Sequence, residues 1–407
     1  MKGAGEIRRR SHKSVVLTGG AVACSLAGDA AIYTALPIVF ADLGLSPLQV
    51  GLLLSVNRFI RLVTNPIADR LIRRVPARPL LGGSLVVGSA IALLYSQAPG
   101  FVALVLLRTL WGLCWSVLRQ VGVMNAAGRS TNRDPSRLVG LYTGVVRVGF
   151  FGGTLLSGIF LDSAGLTAMF YIMAGIMLMG LIPGFAAFGS GELVATTRST
   201  SASGPRWMDD STPKVDSRIA LVEIIKGFIF GAVGAGIVMS TLGVVLKGSA
   251  GASVSIGTIA IGIATLNGII LGLRHFFGIV GSAPIGALLD RAGVGRGEIL
   301  AFLAATAALI AAFVLPGTYA PVVGVLIFSI CEISISIALT TEMNRTSKLY
   351  AQFASALDAG AATGPLLAWI LIDILGNERI GFVAGGILYL IGMICAIITY
   401  RRIGPES

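Results

Sequence analysis

Two acidic residues lie where acids are costly to place. Asp29, in SLAGDAAIY, and Glu332, in SICEISISI, each interrupt a long apolar run. Ionisable side chains in a run that crosses a bilayer are rare and expensive, so each marks a candidate working site. A carboxylate that must be desolvated there is placed to bind and release a proton, the alternative for Asp29 being a structural aspartate hydrogen-bonded to a neighbouring helix or paired with an arginine. Basic residues share these runs: Arg58, Arg61, Arg108, Arg147 and Arg274. A fixed cation beside a carboxylate lowers its proton affinity, and moving the cation away restores it, which couples protons to a motion. Arginines that outnumber the acids also suit a substrate with negative charge, because guanidinium grips carboxylate or phosphate bidentately. His275 follows Arg274 and is the residue type that titrates nearest neutrality, with ordinary packing as its alternative. Tyr33 and Trp111 offer apolar walls to a cavity. Glu223 and Lys226 are three apart, the spacing of a pair on one helix face.

The apolar runs that carry these residues set the class of the chain. It is 55% hydrophobic and 12% charged, about half the charged share of a soluble domain. The runs are roughly twenty residues long, enough to cross a bilayer as helices. Twelve spans are expected, near 15 to 40, 47 to 68, 79 to 97, 100 to 127, 138 to 162, 166 to 188, 219 to 246, 253 to 286, 298 to 315, 321 to 341, 353 to 374 and 381 to 400. The fifty-four glycines suit close packing of helices in lipid. Arg8, Arg9 and Arg10 precede the first run, but that run is too long for a signal peptide and ends at Pro37 without a small-residue cleavage site, so it is read as span 1. With a cytoplasmic N-terminus, 22 Lys and Arg fall in the inner loops and tails, whereas Lys247 and Arg379 alone fall outside. That asymmetry orients both termini to the cytoplasm of an inner or plasma membrane. The net charge of +12 is therefore topological and needs no nucleic-acid partner. Cys24, Cys114, Cys331 and Cys395 lie in spans without metal-ligand or disulfide spacing, and the chain holds only two histidines. There is no nucleophile elbow or phosphate loop, so an enzyme is not expected, nor a metal or other cofactor.

The spans repeat as two halves. Residues 189 to 218, rich in Ser, Thr, Gly and Pro, read as a cytoplasmic linker between bundles at 1 to 188 and 219 to 407. PIADR, with Asp69, returns as GALLDR, with Asp290, and Met124 and Asn125 return as Met343 and Asn344. Gly149, Gly153, Thr154, Ser157 and Asp162 match Gly360, Gly364, Pro365, Ala368 and Asp373. Duplicated six-helix halves around a midplane cavity are how secondary transporters are built.

These motifs resemble those of the major facilitator superfamily, in its twelve-helix form, over the whole chain. The family's motif A is matched by Asn65, Asp69, Arg70 and Arg74, with Asn65 and Ile72 where two glycines are usual, and again by Gly286, Asp290, Arg291, Gly293 and Arg296. LVLLRTLWG, with Arg108 and Gly112, resembles motif B. Gly140, Gly149, Gly153, Thr154, Ser157 and Gly158 resemble antiporter motif C without its proline, and residues 35 to 51 resemble a segment of drug exporters. The resemblance implies an all-α membrane protein that moves a small organic solute by alternating access. Asp29, Arg108 and Glu332 would couple protons, and Arg58, Arg61, Arg147, Arg274, His275, Tyr33 and Trp111 would line the substrate cavity. Asp69 and its arginines would form a cytoplasmic latch, Asp69 facing the start of span 11 and Asp358 pairing with Arg70 or Arg74, while Gly140, Gly149, Gly153 and Gly158 pack helices. Reading back from Asp69 in fours gives Asn65, Arg61 and Asn57, a slowly winding polar stripe along span 2. Three functions remain open: a proton-coupled exporter, a carrier or importer of an organic anion held by the arginines, and a transporter-like receptor or complex partner. The expected partners are the lipid bilayer, a small organic and anionic substrate, and protons, with the protein acting as a monomer.

Overall fold

The computed structural model describes residues 2–97, 100–129, 135–194, 217–343 and 347–403. Most of these are helical: α1 (Lys2–Val39), α2 (Pro47–Ile72), α3 (Ala77–Tyr95), α4 (Phe101–Gly128), α5 (Pro135–Met179), α6 (Leu181–Ala187), α7 (Ser217–Phe230), a π-helical turn (Gly231–Val238), α8 (Met239–Ala250), α9 (Ile263–Val280), α10 (Ser282–Ala292), α11 (Val294–Val314), α12 (Tyr319–Met343), α13 (Ser347–Leu375) and α14 (Ile380–Ile403). Among the described residues ten stretches are long and apolar enough to cross a membrane. One of them, Arg137–Ala187, holds spans five and six, which part at Gly165, where φ is 81°. α2 is not among the ten, since Asn57, Arg58 and Arg61 dilute its hydropathy. Separating the fused pair and adding α2 recovers the twelve expected spans. Many large apolar side chains, among them Val102, Leu106, Ile182 and Ile374, are exposed on the protein surface, as a lipid-facing surface requires.

Two spans differ from their expected form. Residues 253–262 are not helical: Ser253–Ile256 (β1) and Ile259–Gly262 (β2) form an antiparallel hairpin, with Gly257 at φ 63° in the turn. Val254, Ile256, Ile259 and Ile261 alternate with smaller residues, a period-two pattern that the overall hydropathy of the run concealed. The helix begins only at Ile263 and bends at Gly281 into α10. Span 7 is interrupted by the π-helical turn, whose glycines approach α13 closely: a Cβ on Gly231 would collide with the Leu357 carbonyl, and one on Gly236 with Gly364. The expected linker falls largely on 195–216, outside the described residues, as does Asn344.

The chain divides into two compact units, one of residues 1–36, 59–198 and 264–275, the other of 37–58, 199–263 and 276–407. Each unit therefore takes in a short piece from the other sequence half. In the first, α5 lies on α1 through Gly149 and Gly153, where added Cβ atoms would come within 2.5 Å of Ala23 and 2.9 Å of Ala30. Asn125 is fully buried and donates to the Thr18 hydroxyl at 3.0 Å, tying α4 to α1. Gly140 meets nothing, so it is the one motif C glycine that no helix crossing requires. In the second unit, a buried charge cluster ties α7 to α11: Lys226 Nζ lies 2.7 Å from Glu223 Oε1 and 2.9 Å from Glu298 Oε1, all three at most 2% exposed.

Removing one partner of a buried ion cluster strands the rest. Lys226→Met is expected to lower unfolding stability in detergent by about 3–5 kcal/mol, whereas Asp69→Asn, on the surface, stays within about 0.5 kcal/mol of wild type. Equal melting temperatures for the two variants would contradict this.

Candidate functional site

α1 and α4 bring the first-unit charges together. Asp29 sits in the last third of α1, and Arg108 and Trp111 are three apart on α4, so both can reach one point. Arg108 Nη1 donates to Asp29 Oδ1 at 2.7 Å, and Trp111 Nε1 donates to the same oxygen at 3.0 Å. The Arg108 side chain is 1% exposed and that of Asp29 14%. Tyr33, one turn beyond Asp29, holds its ring 5.6 Å from the Arg108 guanidinium carbon, a cation–π distance. Gly28 and Gly88 make room: a Cβ on Gly28 would lie 2.6 Å from Met177 Sδ, and one on Gly88 2.7 Å from the Trp111 ring. The cavity beside the pair, also lined by Ile91, Ala92 and Tyr95, offers about 10 Å³ to water. That is room for one water and too little for an organic solute.

The chemistry follows from this geometry. Asp29 and Arg108 neutralise each other, and adding a proton to the carboxylate removes the charge that holds the guanidinium. A buried guanidinium then has to move toward water or toward another anion.

A second set of candidates lies along α5 and α9 of the same unit. The His275 ring sits 4.3 Å from that of Phe150, tilted 48°. Arg147 and Arg274 both lie within electrostatic reach of His275. Two guanidinium groups thus lie near a histidine that packs against an aromatic ring.

Other expected residues do different work. Arg58, read as a cavity residue, donates through Nη1 to the Ala235 and Ala361 carbonyls at 2.8 and 2.7 Å in the second unit. Arg61 is 9% exposed on α2 in the first. Asp69 pairs with Arg73, one turn on, and holds the Arg73 guanidinium above its ordinary pKa through a hydrogen bond and Coulomb attraction. The Asn65 carbonyl accepts from Gln120 Nε2 at 2.9 Å, so the residue that replaces a glycine sits at an α2 to α4 contact. Asp290 and Arg291 are exposed at the end of α10, and Gly286 has open space around it. Glu332 lies on α12, 8% exposed, in the second unit. Glu298 escaped the sequence reading, since nothing in GRGEILAF signals a partner 72 residues away. Among the described residues no cluster of His, Cys, Asp and Glu could hold a metal ion.

Comparison with known proteins places this architecture. A family profile described as Major Facilitator Superfamily matches residues 18–357. The chain is similar in fold to the nucleoside transporter NupG, with a TM-score of 0.73 at 11% identity, covering 96% of this chain and 99% of that one. It is similar to a POT family transporter solved with 5-aminolevulinic acid, at TM-score 0.72 and 14% identity over 97% and 96% of the two chains. A bacterial homolog of the human lysosomal transporter Spinster, inward-facing and unoccupied, gives 0.71 and 15% over 96% and 97%. No curated protein sequence matches the chain.

The pair can be tested by a double-mutant cycle on thermal stability. Asp29→Ala strands Arg108 and is expected to cost about 3 kcal/mol or more, Asp29→Asn less, and Asp29→Ala with Arg108→Met together less than the sum by at least about 1.5 kcal/mol. Additive costs would show that the two residues do not depend on each other.

Proposed function

The chain belongs to the major facilitator superfamily, and on that footing we propose that it is a proton-coupled exporter of a small organic solute. It is an integral membrane transporter. The observation that carries the finer reading is the Asp29 to Arg108 pair at 2.7 Å, with the Arg108 side chain buried and that of Asp29 only partly exposed. In this reading the two bundles, 1 to 188 and 219 to 407, rock about a central site with both termini in the cytoplasm. A proton arriving from outside neutralises Asp29, Arg108 is released, and the altered charge balance favours the state that faces the other way. The solute leaves as the proton enters. Glu332, from the other half, is the second candidate for the proton path.

The cluster of Arg147, Arg274 and His275 favours a second reading, in which the solute is an organic anion and the carrier can run inward. The two readings share the fold and differ in what the arginines hold. In the first, Arg108 answers to a proton; in the second, Arg147 and Arg274 answer to the solute.

Flux into proteoliposomes under an imposed pH gradient separates them, with substrates found by a thermal-shift panel. For the exporter, Asp29→Asn is expected to cut gradient-driven flux at least tenfold while leaving exchange without a gradient near wild type. For the anion carrier, Arg147→Ala and Arg274→Ala are each expected to weaken substrate affinity about 10- to 100-fold, the scale of a lost charge-assisted hydrogen bond. Gradient-driven flux unaffected by Asp29→Asn would remove the first reading.

A further inference from the structure

Two charged residues outside the proton site reach the backbone of helices from the opposite sequence half. In the first unit, Asp162 closes the end of the first segment of α5 and accepts from the Ala264 and Thr265 amides at 3.3 and 2.6 Å. These are among the first amides of α9, which a helix leaves without internal partners, so a carboxylate there is favoured by both hydrogen bonding and the helix dipole. Asn267 adds a bond to the Thr34 carbonyl at 3.1 Å. Beneath the cap the backbones of α5 and α9 nearly touch: a Cβ on Gly158 would collide with the Ala264 carbonyl, and one on Gly268 with that of Thr154.

The second unit holds a corresponding seam. Gly51 of α2 meets Trp369 of α13, where an added Cβ would come within 2.8 Å, while Gly272 of α9 meets Phe151 of α5. Gly51 and Gly272 stand 221 residues apart, the offset that relates Asp69 to Asp290. Arg58 lies two turns beyond Gly51 and bonds the Ala361 carbonyl of α13 and the Ala235 carbonyl of the π-helical turn. A π-turn departs from the α-helical bonding pattern, and Arg58 holds one of its carbonyls. The cap itself is not duplicated. Asp373, the sequence counterpart of Asp162, is exposed, and α2 caps itself: Ser46 N donates to Gln49 Oε1 at 2.9 Å and Gln49 N to Ser46 Oγ at 3.3 Å.

We propose that Asp162 and Arg58 are positioning residues of the transport cycle, two latches that hold α9 to α5 and α2 to α13 by directing a side-chain charge at backbone groups. At Asp162, which is exposed, such a bond can be handed to water on both sides without leaving a charge stranded in the apolar interior. It is therefore suited to a seam that opens and closes, whereas the buried Lys226 cluster is suited to one that does not. The proposal rests on the alternating-access reading, but its test needs neither a substrate nor a proton gradient, so failure of the proton-coupling claim leaves it standing.

The test is thiol labelling of purified protein in a background with Cys24, Cys114, Cys331 and Cys395 replaced by alanine. Thr154→Cys and Ser55→Cys, fully buried and 1% exposed in the two seams, report their opening. Asp162→Ala is expected to speed maleimide labelling at position 154 roughly tenfold or more, the scale of one charge-assisted hydrogen bond, with Asp162→Asn, which keeps one acceptor oxygen but neither the second nor the charge, intermediate. Thr265→Pro, which removes one accepted amide at a position in the first turn where proline is tolerated, should give the same rise and add little to Asp162→Ala. Arg58→Met should speed labelling at position 55, with Arg58→Lys intermediate. Wild-type labelling rates in Asp162→Ala and Thr265→Pro, or an Asp162→Asn rate equal to that of Asp162→Ala, would overturn the proposal. Asp162 is exposed, so its variants leave the core intact and this arm decides even if Arg58→Met fails to fold.

Discussion

A charge taken out of water must be matched where it lands, and in a membrane it cannot be matched by solvent. This protein meets that constraint in three ways. Asp29 and Arg108 neutralise each other beside a cavity with room for one water. Lys226 sits between Glu223 and Glu298 with all three fully enclosed. Arg58, buried, donates to the Ala235 and Ala361 carbonyls, a third kind of match, of which the exposed Asp162 at the start of α9 is the solvent-side counterpart. The second cannot be undone cheaply, because removing one partner strands the rest; in the proposed cycle a proton undoes the first.

Glycine makes these matches possible. Gly28 and Gly88 leave the space in which Trp111 reaches Asp29, and Gly149 and Gly153 let α5 lie against α1. Gly158 and Gly268 bring α5 and α9 together closely enough for Asp162 to reach the start of α9. At these positions glycine provides contacts near the charged side chains, and an added Cβ would collide with a neighbour.

Much of this was legible in the sequence. The spans were readable because apolar run length is a direct physical signal, and the α2 charges that thinned its hydropathy were the same ones that marked it as interesting. The pairing of Asp29 with Arg108 was foreshadowed by two opposite charges deep in neighbouring spans. Other features were not readable. The hairpin at 253–262 hid within an apolar run because hydropathy averages over period, and only its alternation betrayed it. Glu298 looked like an ordinary charge at a helix start, since nothing local says that Lys226 lies across from it. Arg58 looked like a cavity residue because a sequence shows a charge but not the carbonyls it will find, and the π-turn that presents one of them has no sequence rule beyond a cluster of small residues.

The central claim is that a proton on Asp29 and the hold on Arg108 exclude each other, and that substrate acts on the same balance. Proton release from purified protein in weakly buffered solution measures this directly. On addition of a transported compound, the account predicts about one proton released per protein in the wild type and none in Asp29→Asn. Release undiminished in Asp29→Asn, with binding intact, would contradict it.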